Sequence, residues 1–383
     1  MKSIFKFIFP NYVSEEAKHN ILKYKYIGCD NSFIANYILQ PFWRKAVNWL
    51  PLNMAPNLVT LVGFFFIILG YVLNLYYLPN MIADKGEIIP SWLFVVQAIC
   101  VWLYQLFDAL DGKQARRTNS SSGLGELFDH GCDSLTTYFV VQTFLSSLQM
   151  GINNITVFAL FAIMFAFYFA QWEQYHTDIM SLGYAGPTES QYSMIIGHLL
   201  TAIYGPSFWL TKLSILGYEL QLNQWVVAIM VLSGTLAIIA NIHGVIKSGN
   251  KPLWLCINQV LPVCILFYSI LHWSLESPNL LEQIPHPFLT LFGFLFSFIT
   301  CRLILSRICQ SSLENFQVLL APLIFSYQPL RSFLFPHYLS ENIFVILYFL
   351  LVVISYFHFV SVVINTLCDV LKIKCFTLVN KIK

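Results

Sequence analysis

The sequence predicts an all-α polytopic membrane protein with about ten transmembrane helices and an N-terminal amphipathic helix at the membrane interface. Three observations predict it. The 383 residues are 57% hydrophobic and only 10% charged, against roughly 25% charged in soluble chains. Apolar runs of about 20 residues, the length that crosses a bilayer, recur from residue 56 onward. When these runs are threaded through a membrane, all of the 21 Lys and Arg except Lys85, Lys212 and Arg331 fall on or toward one side. That is the bias of cytoplasmic loops.

The elements follow in order. The opening "MKSIFKFIFPNYVSEE" has no signal-peptide cleavage pattern. Residues 1–55 mix apolar, aromatic and basic side chains. Trp43, Val47 and Leu50 recur at helical spacing with Arg44, Lys45 and Asn48 opposite them, which reads as an amphipathic helix lying on the cytoplasmic face. Spans are predicted near 56–78, 91–107, 134–150, 152–170, 193–210, 224–243, 252–273, 287–308, 318–335 and 343–367. "MGINN" is a tight turn between the third and fourth, and the ninth carries Pro329 and Arg331. An even number of spans puts both termini on one side with the 108–133, 171–192, 244–251 and 309–317 loops. The terminal "VNKIK" is basic but carries no retrieval pattern. Nine scattered cysteines with no C-x-x-C pair exclude a disulfide framework or zinc site. A net charge of +2 gives no reason to expect a nucleic-acid partner.

One stretch breaks the apolar pattern, "FDALDGKQARRTNSSSGLGELFDHGCDS" from Phe107 to Ser134. Asp108 and Asp111 are i and i+3, and Asp129 and Asp133 are i and i+4, so each pair shares a helix face. A helical hairpin would bring the pairs together. Four facing carboxylates repel and need a cation, and hard oxygen ligands suit Mg²⁺, Mn²⁺ or Ca²⁺. Two such ions could hold a pyrophosphate and stabilise both the attacking and the leaving oxygen. Gly112 and Gly125 allow close approach, and Lys113, Arg116 and Arg117 can offset phosphate charge. A solvated loop would need charge, but not carboxylates paired at helical spacing on both flanks.

The stretch fits D-x-x-D-G-x-x-A-R-x8-G-x3-D-x3-D without a gap, through Asp108, Asp111, Gly112, Ala115, Arg116, Gly125, Asp129 and Asp133. It resembles the signature of the CDP-alcohol phosphotransferases. "YKYIGCDNSF", "YILQPFWRKAVNWLPLNMAPNLVTLVGF", "GELFDHGCDSL", "YHT" and "GPTE" resemble the eukaryotic choline/ethanolamine phosphotransferase branch, densely over residues 24–190. The resemblance implies two Mg²⁺ (or Mn²⁺) ions on Asp108, Asp111, Asp129 and Asp133. It implies a CDP site lined by Gly112, Ala115, Arg116 and Gly125 and approached by Asn57. The implied reaction moves phosphocholine or phosphoethanolamine from CDP-choline or CDP-ethanolamine to diacylglycerol, releasing CMP. The lipid hydroxyl needs a base, and His130 and Asp133 are both candidates.

Lys113, Glu173, His176 and Glu189 are further substrate candidates. His198, His243 and His272 read as locally paired. Gly123, where relatives often carry proline, suggests a looser loop. The implied organisation is 1–55 cytoplasmic and interfacial, 56–210 catalytic, and 211–383 for lipid access or a homodimer contact. The implied location is the endoplasmic reticulum or Golgi, with the site facing the cytoplasm. Rival readings are another CDP-alcohol phosphatidyltransferase, an aromatic-acceptor prenyltransferase, whose acidic motifs lie far apart in sequence, and a cation transporter, which would bury acids mid-span.

Overall fold

The computed structural model describes residues 12–24, 28–30, 32–84, 88–182, 186–215, 217–249, 252–313, 317–334 and 340–378. Residues 1–11, Lys85 and the terminal "VNKIK" lie outside the described residues. The chain is an all-α polytopic membrane protein, and strands are confined to two small ribbons among the described residues.

Helix α1 (Glu15–Asn20) starts where the Ser14 side chain accepts from the Ala17 amide, with Glu15 and Glu16 in the first turn. Strand β1 (Gly28–Asp30) follows. A π-helical segment (Ile34–Leu39) runs into α2 (Gln40–Ala46) and a 3₁₀ turn (Val47–Trp49). Trp43, Ala46 and Val47 are buried while Arg44, Lys45 and Asn48 are exposed, and Leu50, expected on the buried face, is half-buried in extended backbone after the 3₁₀ turn.

The long helices are α3 (Pro56–Tyr77), α4 (Ser91–Arg117), α5 (Gly123–Ser147) and α6 (Asn154–Thr177), then α7 (Pro187–Tyr204) after strand β2 (Met180–Leu182). The β1–β2 ribbon is parallel, with Cys29 opposite Ser181, and ties the N-terminal segment to the end of α6. After the antiparallel ribbon of β3 (Lys212–Ile215) and β4 (Tyr218–Gln221) come α8 (Leu222–Ser248), α9 (Leu253–Glu276), the short α10 (Pro278–Gln283) and α11 (Pro285–Ile308). The short α12 (Gln328–Leu334) and α13 (Glu341–Leu371) close the order. The buried face of α2 packs on Val59 of α3 and on Leu106 and Leu110 of α4. Phe33, Tyr37, Ile38, Trp49 and Leu52 remain exposed.

Among the described residues seven helices are long and apolar enough to cross a membrane by length and composition: α3, α4, α6, α8, α9, α11 and α13. The predicted third span is the later part of α5, which begins at Gly123 with the acidic "GELFDHGCD". The predicted fifth span falls on α7, which opens with the polar "PTESQYS". The ninth predicted span is not a continuous helix. Residues Val318–Ser326 form a 3₁₀ segment with Pro322 inside it, Tyr327 is extended, and α12 begins at Gln328. Proline removes a helical hydrogen bond and crowds the preceding turn, and Pro322 and Pro329 together break this apolar run.

The core forms around α11, which packs against α5, α6, α9 and α13. The α5 contact is close because Gly293 faces the Tyr138 ring, where a Cβ would lie 2.8 Å from Tyr138 Cγ. Buried hydroxyls stitch three helices together: Ser134 of α5 lies 2.5 Å from Ser297 of α11, which donates to Tyr356 of α13 at 3.2 Å. Helices in lipid associate through such small residues and polar pairs. Cys100, Cys132, Cys256, Cys264, Cys301, Cys309, Cys368 and Cys375 are free thiols.

Candidate active site

Helices α4 and α5 form the hairpin that the aspartate spacing requires. Asn119 adopts a left-handed φ of 53° in the turn, and the Ser122 side chain caps α5 by accepting from the Gly125 amide at 3.1 Å. Two triads of side chains result. Ligand atoms of Asp108, Asp111 and Asp129 all lie within 4.8 Å of one another, as do those of Asp129, His130 and Asp133. Asp129 belongs to both.

The hydrogen-bond donors here are neutral. Thr60 of α3 donates to Asp111 Oδ2 and Tyr104 of α4 donates to Asp133 Oδ1. Among the described residues no Lys or Arg pairs with any of the four aspartates, and the buried Asp129 Oδ1 has no hydrogen-bond partner. Carboxylates in a membrane protein's interior are costly without a counter-charge. The four carboxylates offer the hard oxygen donors that suit a divalent cation, and the cluster could hold a metal ion.

His130 stands between two acids. Its Nδ1 is 3.3 Å from Asp133 Oδ2 and its Nε2 is 3.8 Å from Glu126 Oε1. Glu126 is buried and accepts from Gln174 Nε2 of α6 at 3.1 Å and from Arg307 Nη2 of α11. The Arg307 guanidinium also lies 5.7 Å from the Tyr24 ring centroid.

Asn57 and Gly125 meet as expected, since a Cβ on Gly125 would lie 3.6 Å from Asn57 Oδ1. Asn57 also donates to Cys375 Sγ at 3.5 Å. Cys375 belongs to a strap after α13 in which Thr377 pairs with Met54 and the Phe376 ring meets Phe128 at 5.5 Å. Burial pushes the Cys375 thiol above its ordinary pKa, and the Asn57 hydrogen bond partly offsets that.

Gly112 faces Arg116, whose Nη1 would be 3.6 Å from a Cβ there, and half-buried Ala115 lies between the two along α4. The basic residues part company. The Lys113 ammonium sits 5.1 Å over the Trp43 ring. With Gln40, Arg44, Val47 and Arg116 it lines a recess of about 360 Å³ beside α2. Arg117 donates to the carbonyls of Val47 at 3.0 Å and Leu50 at 2.9 Å, and Gln114 to those of Pro51 and Met54. Arg117 and Gln114 thus fasten the 47–54 segment.

The remaining candidates make their described contacts elsewhere. Glu173 lies against α8, where a Cβ on Gly244 would fall 1.9 Å from its Oε1. His176 Nδ1 is 3.7 Å from Cys256 Sγ of α9, between the Trp172 and Tyr175 rings. Glu189 accepts from Ser32 Oγ, from the Ile34 amide and from the Gly186 amide, so it caps α7 and anchors the N-terminal segment. His198 pairs with Ser147 at 2.8 Å, the local pairing expected of it. Gly123 opens α5 beneath Ile308, whose Cγ2 would be 2.7 Å from a Cβ.

Sequence reasoning missed Thr60, Tyr104, Glu126, Gln174 and Arg307. Three had a signal. Tyr104 is i−4 from Asp108 and Glu126 is i−4 from His130, positions on the same helix faces. Arg307 is an arginine inside an apolar run, where a charge calls for a partner.

A family model described as "CDP-alcohol phosphatidyltransferase" matches residues 53–232, which carry all four aspartates. The chain is 45% identical over 374 residues to "Uncharacterized CDP-alcohol phosphatidyltransferase class-I family protein 1" of Dictyostelium discoideum, covering 97% of this chain and 96% of the relative. It is 33% identical to "Choline/ethanolaminephosphotransferase 1" of Arabidopsis thaliana, covering 97% and 99%. It is 32% identical to "Ethanolaminephosphotransferase 1" of Homo sapiens, covering 82% and 81%.

Proposed function

This chain belongs to the CDP-alcohol phosphatidyltransferase family, and from that premise we propose that it transfers phosphoethanolamine or phosphocholine from CDP-ethanolamine or CDP-choline to diacylglycerol. The products are the phospholipid and CMP. The observation that carries this reading is the pair of triads on α4 and α5, which bring four carboxylates and His130 together, with neutral hydroxyl donors on Asp111 and Asp133. The full-length similarity to a choline/ethanolaminephosphotransferase supports the choice of donor and acceptor over another CDP-alcohol chemistry. A cation transporter gains no support, because the acids sit together on one hairpin.

Asp108, Asp111, Asp129 and Asp133 would hold two divalent ions, Mg²⁺ or Mn²⁺, which when bound offset the charge of the donor pyrophosphate. Thr60 and Tyr104 each engage one carboxylate oxygen and so fix where the free lone pairs point. Asn57, Gly112, Ala115, Arg116 and Gly125 form the CDP side, with the two glycines leaving room for the donor. His130 takes the proton of the diacylglycerol hydroxyl. The hydroxyl would approach Nδ1, on the aspartate side of the ring, while Nε2 stays toward Glu126; Asp133 is the alternative base. The hydroxyl oxygen bonds to the phosphorus bearing the alcohol, and the pyrophosphate bond breaks with its electron pair leaving on CMP.

Residues 56–210 form the catalytic unit in this reading. Residues 1–55 lie at the interface with Phe33, Tyr37 and Trp49 toward lipid, and 211–383 serve lipid access or a dimer contact. The site faces the cytoplasm from the endoplasmic reticulum or Golgi. We assign Glu173, His176 and Glu189 to packing and capping, and Lys113 to the recess beside α2.

The test is radiolabel transfer in membranes of cells lacking their own activity, given diacylglycerol, magnesium and either CDP-alcohol. Labelled phospholipid that disappears with chelator and in Asp129→Asn is expected. No lipid product from either donor, with well-folded protein, overturns the reading.

A further inference from the structure

One buried cation plays no part in the mechanism above. Arg307 ends α11, outside the matched residues 53–232. Its side chain is 4% exposed and that of its partner Glu126 6%. Arg307 Nη2 and Gln174 Nε2 both donate to the same oxygen, Glu126 Oε1. That oxygen is also the one 3.8 Å from His130 Nε2. The other oxygen, Oε2, is buried with no hydrogen-bond partner. The carboxylate is therefore oriented entirely through its Oε1 side.

Arg307 is itself fixed. Its guanidinium rests on the Tyr24 ring, and the next residue, Ile308, closes over Gly123. Opposite, Asp133 takes His130 Nδ1. The imidazole thus has a carboxylate at each nitrogen, and only the Glu126 side depends on a helix far away in sequence.

We propose that Arg307 is a positioning residue for His130, acting through Glu126 to set the orientation of the imidazole. This rests on the transferase reading above and deepens it, because it makes the C-terminal helices part of the chemistry. A buried ion pair by itself contributes little net stability, and replacing both partners with neutral groups is often harmless to the fold. Its location beside the base is what a positioning role requires. Residues supporting a reacting group are worth on the order of 10- to 100-fold in rate.

The experiment measures kcat, the KM for the CDP-alcohol and the Tm of purified full-length protein for wild type, Arg307→Lys, Arg307→Met and the double variant Glu126→Gln/Arg307→Met. We expect Arg307→Met to lose kcat by about 10-fold or more with KM within about 2-fold, and Arg307→Lys to recover part of it. The double variant removes both buried charges, so its Tm should return while kcat stays low. Recovery of kcat together with Tm in the double variant, or full kcat in Arg307→Met, overturns the proposal and leaves the pair a packing device. Failure of the wild type to transfer either headgroup overturns the underlying function instead, which separates the two outcomes.

Discussion

Tyr104 donates its hydroxyl hydrogen to Oδ1 of Asp133, joining the buried face of α4 to the carboxylate-bearing side of α5. The ring is 1% exposed, so Tyr104→Phe should keep the packing and lose only the donor. We expect intact folding, a kcat about 10-fold lower, and a higher half-saturating magnesium concentration, read from activity against added metal. An unchanged metal curve would mean that Asp133 needs no such restraint.

Thr60 does the same for Asp111 from α3. Thr60→Val is nearly isosteric but leaves a buried carboxylate without its donor, whereas Thr60→Ser keeps it. The expected result is a metal requirement raised on the order of 10-fold in the valine variant and near-normal behaviour in the serine variant. Equal metal curves for the two would refute the assignment.

The aspartates repel one another until a cation arrives. Asp129 is common to both triads, so Asp129→Asn relieves the most repulsion while removing a ligand. Thermal denaturation in chelator should show the variant at least as stable as wild type. Added magnesium should raise the wild-type Tm, since a ligand that binds only the folded state stabilises it, and raise that of the inactive variant much less. A variant whose Tm responds like wild type would place the ion elsewhere.

Glu173 offers a test of a residue assigned to packing. Gly244→Ala puts a methyl group 1.9 Å from Glu173 Oε1 and should cost about 1–3 kcal/mol of stability, as overpacking does. Glu173→Ala should restore much of the Tm in the double variant, and Glu173→Gln alone should keep full activity. Loss of activity without loss of Tm in Glu173→Gln would return this residue to the substrate site.

The four aspartates were legible because helical spacing is a local property: i, i+3 and i, i+4 pairs on two flanks leave one hairpin as the way to converge. The burial of Trp43 and Val47 against exposed Arg44 and Lys45 was legible for the same reason. What the spacing could not supply was where side chains end. Arg117 has the charge of a phosphate ligand, yet its guanidinium closes on the Val47 and Leu50 carbonyls. Gly123 has the composition of a loop residue, and the Ile308 that lies over it belongs to a distant helix. Thr60 bears on the site only because α3 packs against α4 and α5. Residues 318–335 are apolar enough to read as a span, but Pro322 and Pro329 break them.

The strap that joins Thr377 to Met54 and Cys375 to Asn57 has a consequence for biosynthesis. Translation delivers residues 53–232 to the membrane first, with all four aspartates and His130 already in place. Arg307 emerges later, and the strap residues later still. A nascent chain halted after α8 would carry the carboxylates without the guanidinium that steadies Glu126 and without the segment that sits against Asn57. The order of synthesis therefore places the acidic cluster in the membrane before its surroundings are finished, and segments made after it complete them.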